Sequence, residues 1–181
     1  MKFEDLLIEK SQTIESKAQL LEQRLIAIRQ QNRGELLNKM EFQNHKMEQV
    51  TVFRGVYFIN DAKAENINAT YYCLDQMKSS VVWLVEGKKQ NVNYQELIHF
   101  VSQKVKAIVC IGEDNDNIKK TFKGHTKVIL ECKDMDTAVR QGFYIAQKGE
   151  IVLLSSGCPC GEIYKNYMER GDAFKQAVAQ L

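Results

Sequence analysis

The chain has 181 residues, 44% hydrophobic and 27% charged, with a formal net charge of +2. That is long enough for one domain with a full core, or for a domain plus an extension. The small charge gives no case for nucleic acid, and no apolar run approaches the ~20 residues that span a bilayer. The start MKFEDLLIEK lacks the apolar core of a signal peptide. The five cysteines (Cys73, Cys110, Cys132, Cys158 and Cys160) are odd in number and scattered along apolar stretches. They predict thiols in a reducing cytoplasm rather than a disulfide framework.

Residues 4–31 read as a helix. Leu7, Ile14, Leu21 and Ile28 recur every seven positions, Ala18 and Leu25 fill the alternate seam, and neither Gly nor Pro intervenes. The pattern admits an amphipathic helix packed on its own domain, or an antiparallel or dimeric coiled coil. Gly34 ends or interrupts it, and Leu36–Phe42 reads as a short helical turn. Residues 1–38 therefore form a helical extension, and 39–181 the domain that follows.

From Gln49 the period shortens. Val50, Val52, Val56, Phe58 and Ile59 predict a β-hairpin turning near Arg54-Gly55. Asn66–Lys78 reads as a helix capped by Asn66, with Ile67, Thr70, Tyr71 and Leu74 on one face. Strands and helices then alternate. Strands are expected at Ser80–Val85, Ala107–Ile111, Lys127–Leu130 and Ile151–Leu154. Helices are expected at Tyr94–Lys104, Asn115–Phe122, Met135–Gln147 and from near Gly161 onward, with a break at Arg170-Gly171-Asp172. Continuous apolar strands separated by amphipathic helices give an α/β fold, Rossmann-like, whose mainly parallel sheet carries helices on both faces.

The stretch Ile151–Phe174, IVLLSSGCPCGEIYKNYMERGDAF, runs a buried strand through a Ser-Ser-Gly turn. Open α/β sheets place their ligand crevice at such strand ends. No phosphate loop accompanies it, since neither G-x-x-x-x-G-K-[ST] nor G-x-G-x-x-G occurs in these residues. His45, His99 and His125 are far apart and no acidic cluster has ligand spacing, so no metal site is expected. Cys158-Pro-Cys160 lacks the C-x-x-C spacing of zinc and thioredoxin-like sites, which favours a structural over a redox role. Ser155-Ser156 has no recognisable paired base and forms no nucleophile elbow. Asp61 and Lys63, at a predicted strand end, read more readily as solvated turn residues than as a site.

Two segments carry a family resemblance. LLS–x–x–C followed by Y-K-N-Y-x-x-R-G-D-x-F, and Gly55–Asn66, GVYFINDAKAEN, resemble the C-terminal, third domain of the Mur peptide ligases, in particular the D-glutamate-adding members. The likeness covers roughly residues 40–181. In that family the ATP loop and Mg²⁺ ligands belong to the central domain and the UDP-sugar to the first, so the resemblance implies ATP and Mg²⁺ here only if a partner chain completes the site.

The third domain closes over the nucleotide and shapes a pocket for the incoming amino acid. On the nucleotide side, His45-Lys46 match the family's His-Arg pair, and Asp61 and Lys63 match its D-S-K motif. An Asp there accepts hydrogen bonds from ribose hydroxyls, while a Lys offsets phosphate charge. The amino-acid side departs from the pattern. Glu65 stands for a threonine, Gln90 for a lysine (with Lys88 and Lys89 close by) and Cys160 for a serine. Tyr167 keeps the closing aromatic. That pocket is expected to be degenerate, losing charge-assisted bonds worth roughly 1.5–3 kcal/mol each.

The resemblance therefore implies a stand-alone, non-catalytic binding or regulatory module of peptidoglycan precursor synthesis in the cytoplasm. The alternative is a trans-acting fragment of a split ATP-dependent ligase of the D-glutamate type. A truncated ligase with no function of its own is a third reading, against which the initiating methionine and the patterned helix argue. A protein partner or self-association is expected through residues 5–30, with no nucleic acid and no membrane.

Overall fold

The computed structural model describes residues 44–87, 92–160 and 163–181. The expected helix over 4–31 with its heptad seam, the turn at Leu36–Phe42, and Gln90 lie outside them.

The hairpin forms as its composition requires. β1 (Glu48–Phe53) and β2 (Val56–Asn60) pair antiparallel, with Phe53 opposite Val56. The turn between them holds Arg54 at φ 47° and Gly55 at φ 84°. Two successive left-handed residues suit the right-handed strand twist of a tight hairpin, and Gly at the second meets that demand without steric cost.

Beyond the hairpin every pairing is parallel. α1 (Ile67–Gln76) leads to β3 (Val81–Glu86), and a 3₁₀ turn (Tyr94–Leu97) with α2 (Ile98–Lys104) leads to β4 (Val105–Ile111). α3 (Asp116–Phe122) precedes β5 (Val128–Cys132), and α4 (Met135–Ile145) precedes β6 (Ile151–Leu154). α5 (Tyr167–Ala179) ends the chain. The sheet order is β1-β2-β6-β3-β4-β5. β6 thus slots between β2 and β3, pairing Tyr57–Asn60 on one side and Val81–Leu84 on the other. Strand order reverses between β3 and β6, and their carboxyl ends face the crevice where such sheets bind ligands.

Helices cover both faces. α4 and α5 pack on one through Met135, Ala138, Val139, Phe174 and Ala177. α1, α2 and α3 pack on the other through Cys73, Leu74, Val101, Ile118 and Phe122. β3 and β6 are buried at every position, which explains their unbroken apolar runs, whereas the edge strand β5 is half-exposed. Trp83, fully buried in β3, satisfies its indole N–H on the Ser155 carbonyl at 2.6 Å. Asparagine or aspartate caps three of the helices: Asn66 accepts from the Ala69 amide, Asp134 from Thr137 and Asn166 from Glu169, each cap worth about 1 kcal/mol.

Three expectations need correction. The terminal helix starts at Tyr167 rather than near Gly161, because Asn166 is its extended cap residue, with φ −157° and ψ 170°. There is no break at Arg170-Gly171-Asp172. α5 runs straight through, since Arg170 and Gly171 are buried contacts rather than a turn. Tyr71 leaves the buried face of α1, where Thr70, Cys73 and Leu74 lie.

Candidate functional site

The site grows from the end of β2, where Asn60 and Asp61 are both buried. Asn60 locks the turn. Its Oδ1 accepts from the Ala62 amide at 3.1 Å, and its Nδ2 donates to the Gly171 carbonyl at 3.2 Å. That orientation makes the same Nδ2 a donor to His45 Nδ1 at 3.0 Å, so neutral His45 carries its proton on Nε2, 3.6 Å from Asp172 Oδ1. Burial, helped by Lys175, lowers the His45 pKa, while Asp172 and Glu48 act against it.

Asp61 is held on both oxygens. Oδ1 accepts from the Met47 amide at 3.1 Å and Oδ2 from the Ser155 hydroxyl at 3.0 Å. The Ser155 proton is thereby used, so the Thr70 hydroxyl 2.9 Å away donates to Ser155. Burial raises the Asp61 pKa to about 6, opposed by bonds from Cys73, Met47 and Ser155 and by the charge of Lys46. Conversely, burial and this carboxylate push the Cys73 thiol well above its ordinary range. β2, α1 and the turn after β6 thus converge on one carboxylate.

Above Asp61 lies a shallow pocket of about 240 Å³, lined by Lys46, Met47, Asp61, Lys63, Ala64, Ala69 and Tyr72. The Lys63 ammonium sits 5.6 Å from the centroid of the Tyr167 ring, within cation–π range. The backbone between Asp61 and Lys63 is fastened by Arg170 of α5, which has no exposed surface. Its guanidinium donates to Glu86 Oε2 at 2.9 Å, to the Ala62 carbonyl at 2.7 Å and to the Cys158 carbonyl at 3.4 Å. One side chain therefore joins the ends of β3, β2 and β6 to α5.

Of the residues expected on the nucleotide side, Lys46, Asp61 and Lys63 line one pocket. His45 does not. Its ring is turned inward against Gly171, where any Cβ would collide with it, and meets Tyr167 edge-on at 6.2 Å. Among those assigned to the amino-acid side, Glu65 is half-buried between Ala64 and the cap Asn66, Cys160 half-buried in the turn after β6, and Tyr167 half-buried at the start of α5. None of these three lines the pocket above Asp61. Cys158 is buried, its thiol 3.7 Å from the Glu86 carbonyl, a structural placement. Among the described residues no group of three or more His, Cys, Asp or Glu could hold a metal ion.

The family match is direct. The Mur ligase, glutamate ligase domain family matches residues 45–158. The chain belongs to that family. It is 38% identical over 157 residues to a UDP-N-acetylmuramoylalanine–D-glutamate ligase of Christiangramia forsetii, covering 87% of this chain and 35% of that protein. The enzyme of the same name from Porphyromonas gingivalis is 35% identical over 143 residues, covering 78% and 32%. The chain thus spans about a third of the length of the relatives it matches. Solved structures share the fold. A bifunctional folylpolyglutamate synthase/dihydrofolate synthase of Yersinia pestis superposes with TM-score 0.54 at 17% identity, over 79% of this chain and 32% of that one. A MurF ligase of Thermotoga maritima in complex with ADP gives 0.51 at 13%, over 78% and 33%.

Sequence reading missed Arg170, Glu86, Asn60, Ser155 and Tyr72. Arg170 and Ser155 stood inside the quoted motifs. Glu86, at the end of an apolar strand, was itself a signal, because a carboxylate buried there needs a cationic partner.

Proposed function

We propose that this Mur ligase glutamate ligase domain is a non-catalytic binding module of cytoplasmic peptidoglycan precursor synthesis. It holds the nucleotide side of a ligase-type site and does not turn the nucleotide over. The observation that carries this reading is the convergence of Lys46, Asp61 and Lys63 on one pocket at the carboxyl end of β2. An ionised Asp61 keeps a lone pair for a ribose hydroxyl beyond the three bonds it already accepts from Met47, Ser155 and Cys73, and the lysines supply charge for phosphate. Phosphoryl transfer needs a metal and a cradle of donors around the γ-phosphate. These residues offer no phosphate-loop sequence for that cradle.

A second reading follows from the same retained trio. The domain completes a D-glutamate-adding ligase in trans, with ATP and Mg²⁺ held by a partner that carries the phosphate loop. Glu65 and Cys160, where the family's threonine and serine are expected, weigh against D-glutamate as its substrate.

Calorimetry with ATP and ADP, followed by analysis of the nucleotide recovered, tests the primary reading. Saturable binding with ATP recovered intact is the expected result. ADP formed by the purified chain, or no heat at millimolar nucleotide, contradicts it. The second reading predicts ADP release on adding a phosphate-loop domain together with D-glutamate and UDP-N-acetylmuramoylalanine.

A further inference from the structure

We infer that Tyr72 is the face on which the pocket above Asp61 takes the aromatic base of a nucleoside phosphate, making it a specificity-determining residue. The inference rests on the nucleotide reading given above. α1 presents two adjacent tyrosines, Tyr71 44% and Tyr72 42% exposed. Their surroundings differ. Tyr71 meets Phe100 edge-on, centroids 4.8 Å apart, and so belongs to the packing between α1 and α2. Tyr72 instead forms part of the pocket wall, together with Met47, Ala64 and Ala69.

Ala69 and Tyr72 are three apart on one helix and share a face. The small side chain at 69 leaves open the space that the ring at 72 borders. The apolar members of the lining are matched by charge at only three positions, Lys46, Asp61 and Lys63. A flat apolar wall, one carboxylate and two ammonium groups are what a base, a ribose and a phosphate respectively need. Size limits how much of the ligand enters. About 240 Å³ is below the ~300–1,000 Å³ of pockets that enclose a whole drug-sized ligand. The base and ribose enter, then, and the phosphates remain outside beside the lysines.

The test uses the full 181-residue chain, with ADP and ribose 5-phosphate as probes and amide shifts as the readout. Tyr72→Phe keeps the ring and is expected to hold ADP affinity within about twofold. Tyr72→Ala is expected to weaken ADP about tenfold, the scale of base–aromatic stacking, and to leave ribose 5-phosphate unchanged. Ala69→Leu, which fills the pocket while Tyr72 is kept, should also weaken ADP. Should Tyr72→Ala bind ADP as tightly as the parent, the base lies elsewhere and this inference fails while the nucleotide reading stands. Should the parent bind no ADP, the nucleotide reading fails and takes this inference with it.

Discussion

At Asp61, holding a ligand and stabilising the fold pull in opposite directions. A carboxyl whose folded pKa of about 6 exceeds its ordinary 3.8 stabilises the fold fully below about pH 4, and that contribution is lost as pH rises through 6. At neutral pH the ionised form therefore costs up to about 3 kcal/mol, one pKa unit being 1.36 kcal/mol. Asp61→Asn is expected to raise urea stability at pH 8 by a part of that amount while abolishing nucleotide binding. His45 has the opposite sign. A buried histidine with lowered pKa contributes stability above its ordinary 6.5 that is lost as pH falls. The parent should therefore lose less stability between pH 7 and 4 than a chain without the Asp61 carboxyl, because the two groups oppose each other there. The Asp61→Asn chain should fall steadily on acidification, as unfolding at a series of pH values would reveal.

Gly171 shows how a local reading fails. Gly-to-Ala inside a helix usually gains about 1 kcal/mol. Here the added Cβ would strike the His45 ring. Gly171→Ala should therefore destabilise by about 1–3 kcal/mol, as overpacking does, and His45→Ala in the same chain should relieve most of that loss. Nothing near Gly171 in the sequence announces this contact, so the glycine reads as a helix break. The ring that requires it comes from the segment before β1.

Among the elements, the hairpin, the alternation of strands and helices, and the cap Asn66 were legible, because each depends on residues a few positions apart. The start of α5 was not, since Asn166 rather than a residue near Gly161 caps it, its side chain accepting from the Glu169 amide. The site was half legible. Lys46, Asp61 and Lys63 follow from short motifs that resemble the family's, while Glu86–Arg170 pairs residues 84 positions apart. Breaking one partner of a buried pair strands the other charge. Arg170→Met alone should thus cost about 3–5 kcal/mol in equilibrium unfolding, and Glu86→Leu added to it should recover much of the loss. Equal destabilisation in single and double variants would mean that Arg170 acts through its carbonyl contacts instead.

For the whole molecule, the chain is a Mur ligase glutamate ligase domain that spans about a third of the length of the relatives it matches, and the nucleotide-holding face is the one proposed above. The fold alone does not decide what that face now does, because function resides in the site. Lys46, Asp61 and Lys63 form a pocket, whereas the positions matched to the amino-acid side have changed chemistry at Glu65 and Cys160. The proposed binding without turnover rests on that asymmetry together with the missing phosphate-loop sequence. The most direct measurement is a titration of the 181-residue chain with ADP that follows the backbone amides of Met47, Lys63 and Ala64, in parent and Lys63→Ala chains. Saturable shifts centred on those three amides, weakened at least tenfold in the variant, are predicted. Shifts centred elsewhere, or equal affinity in the two chains, would contradict a nucleotide site at this pocket.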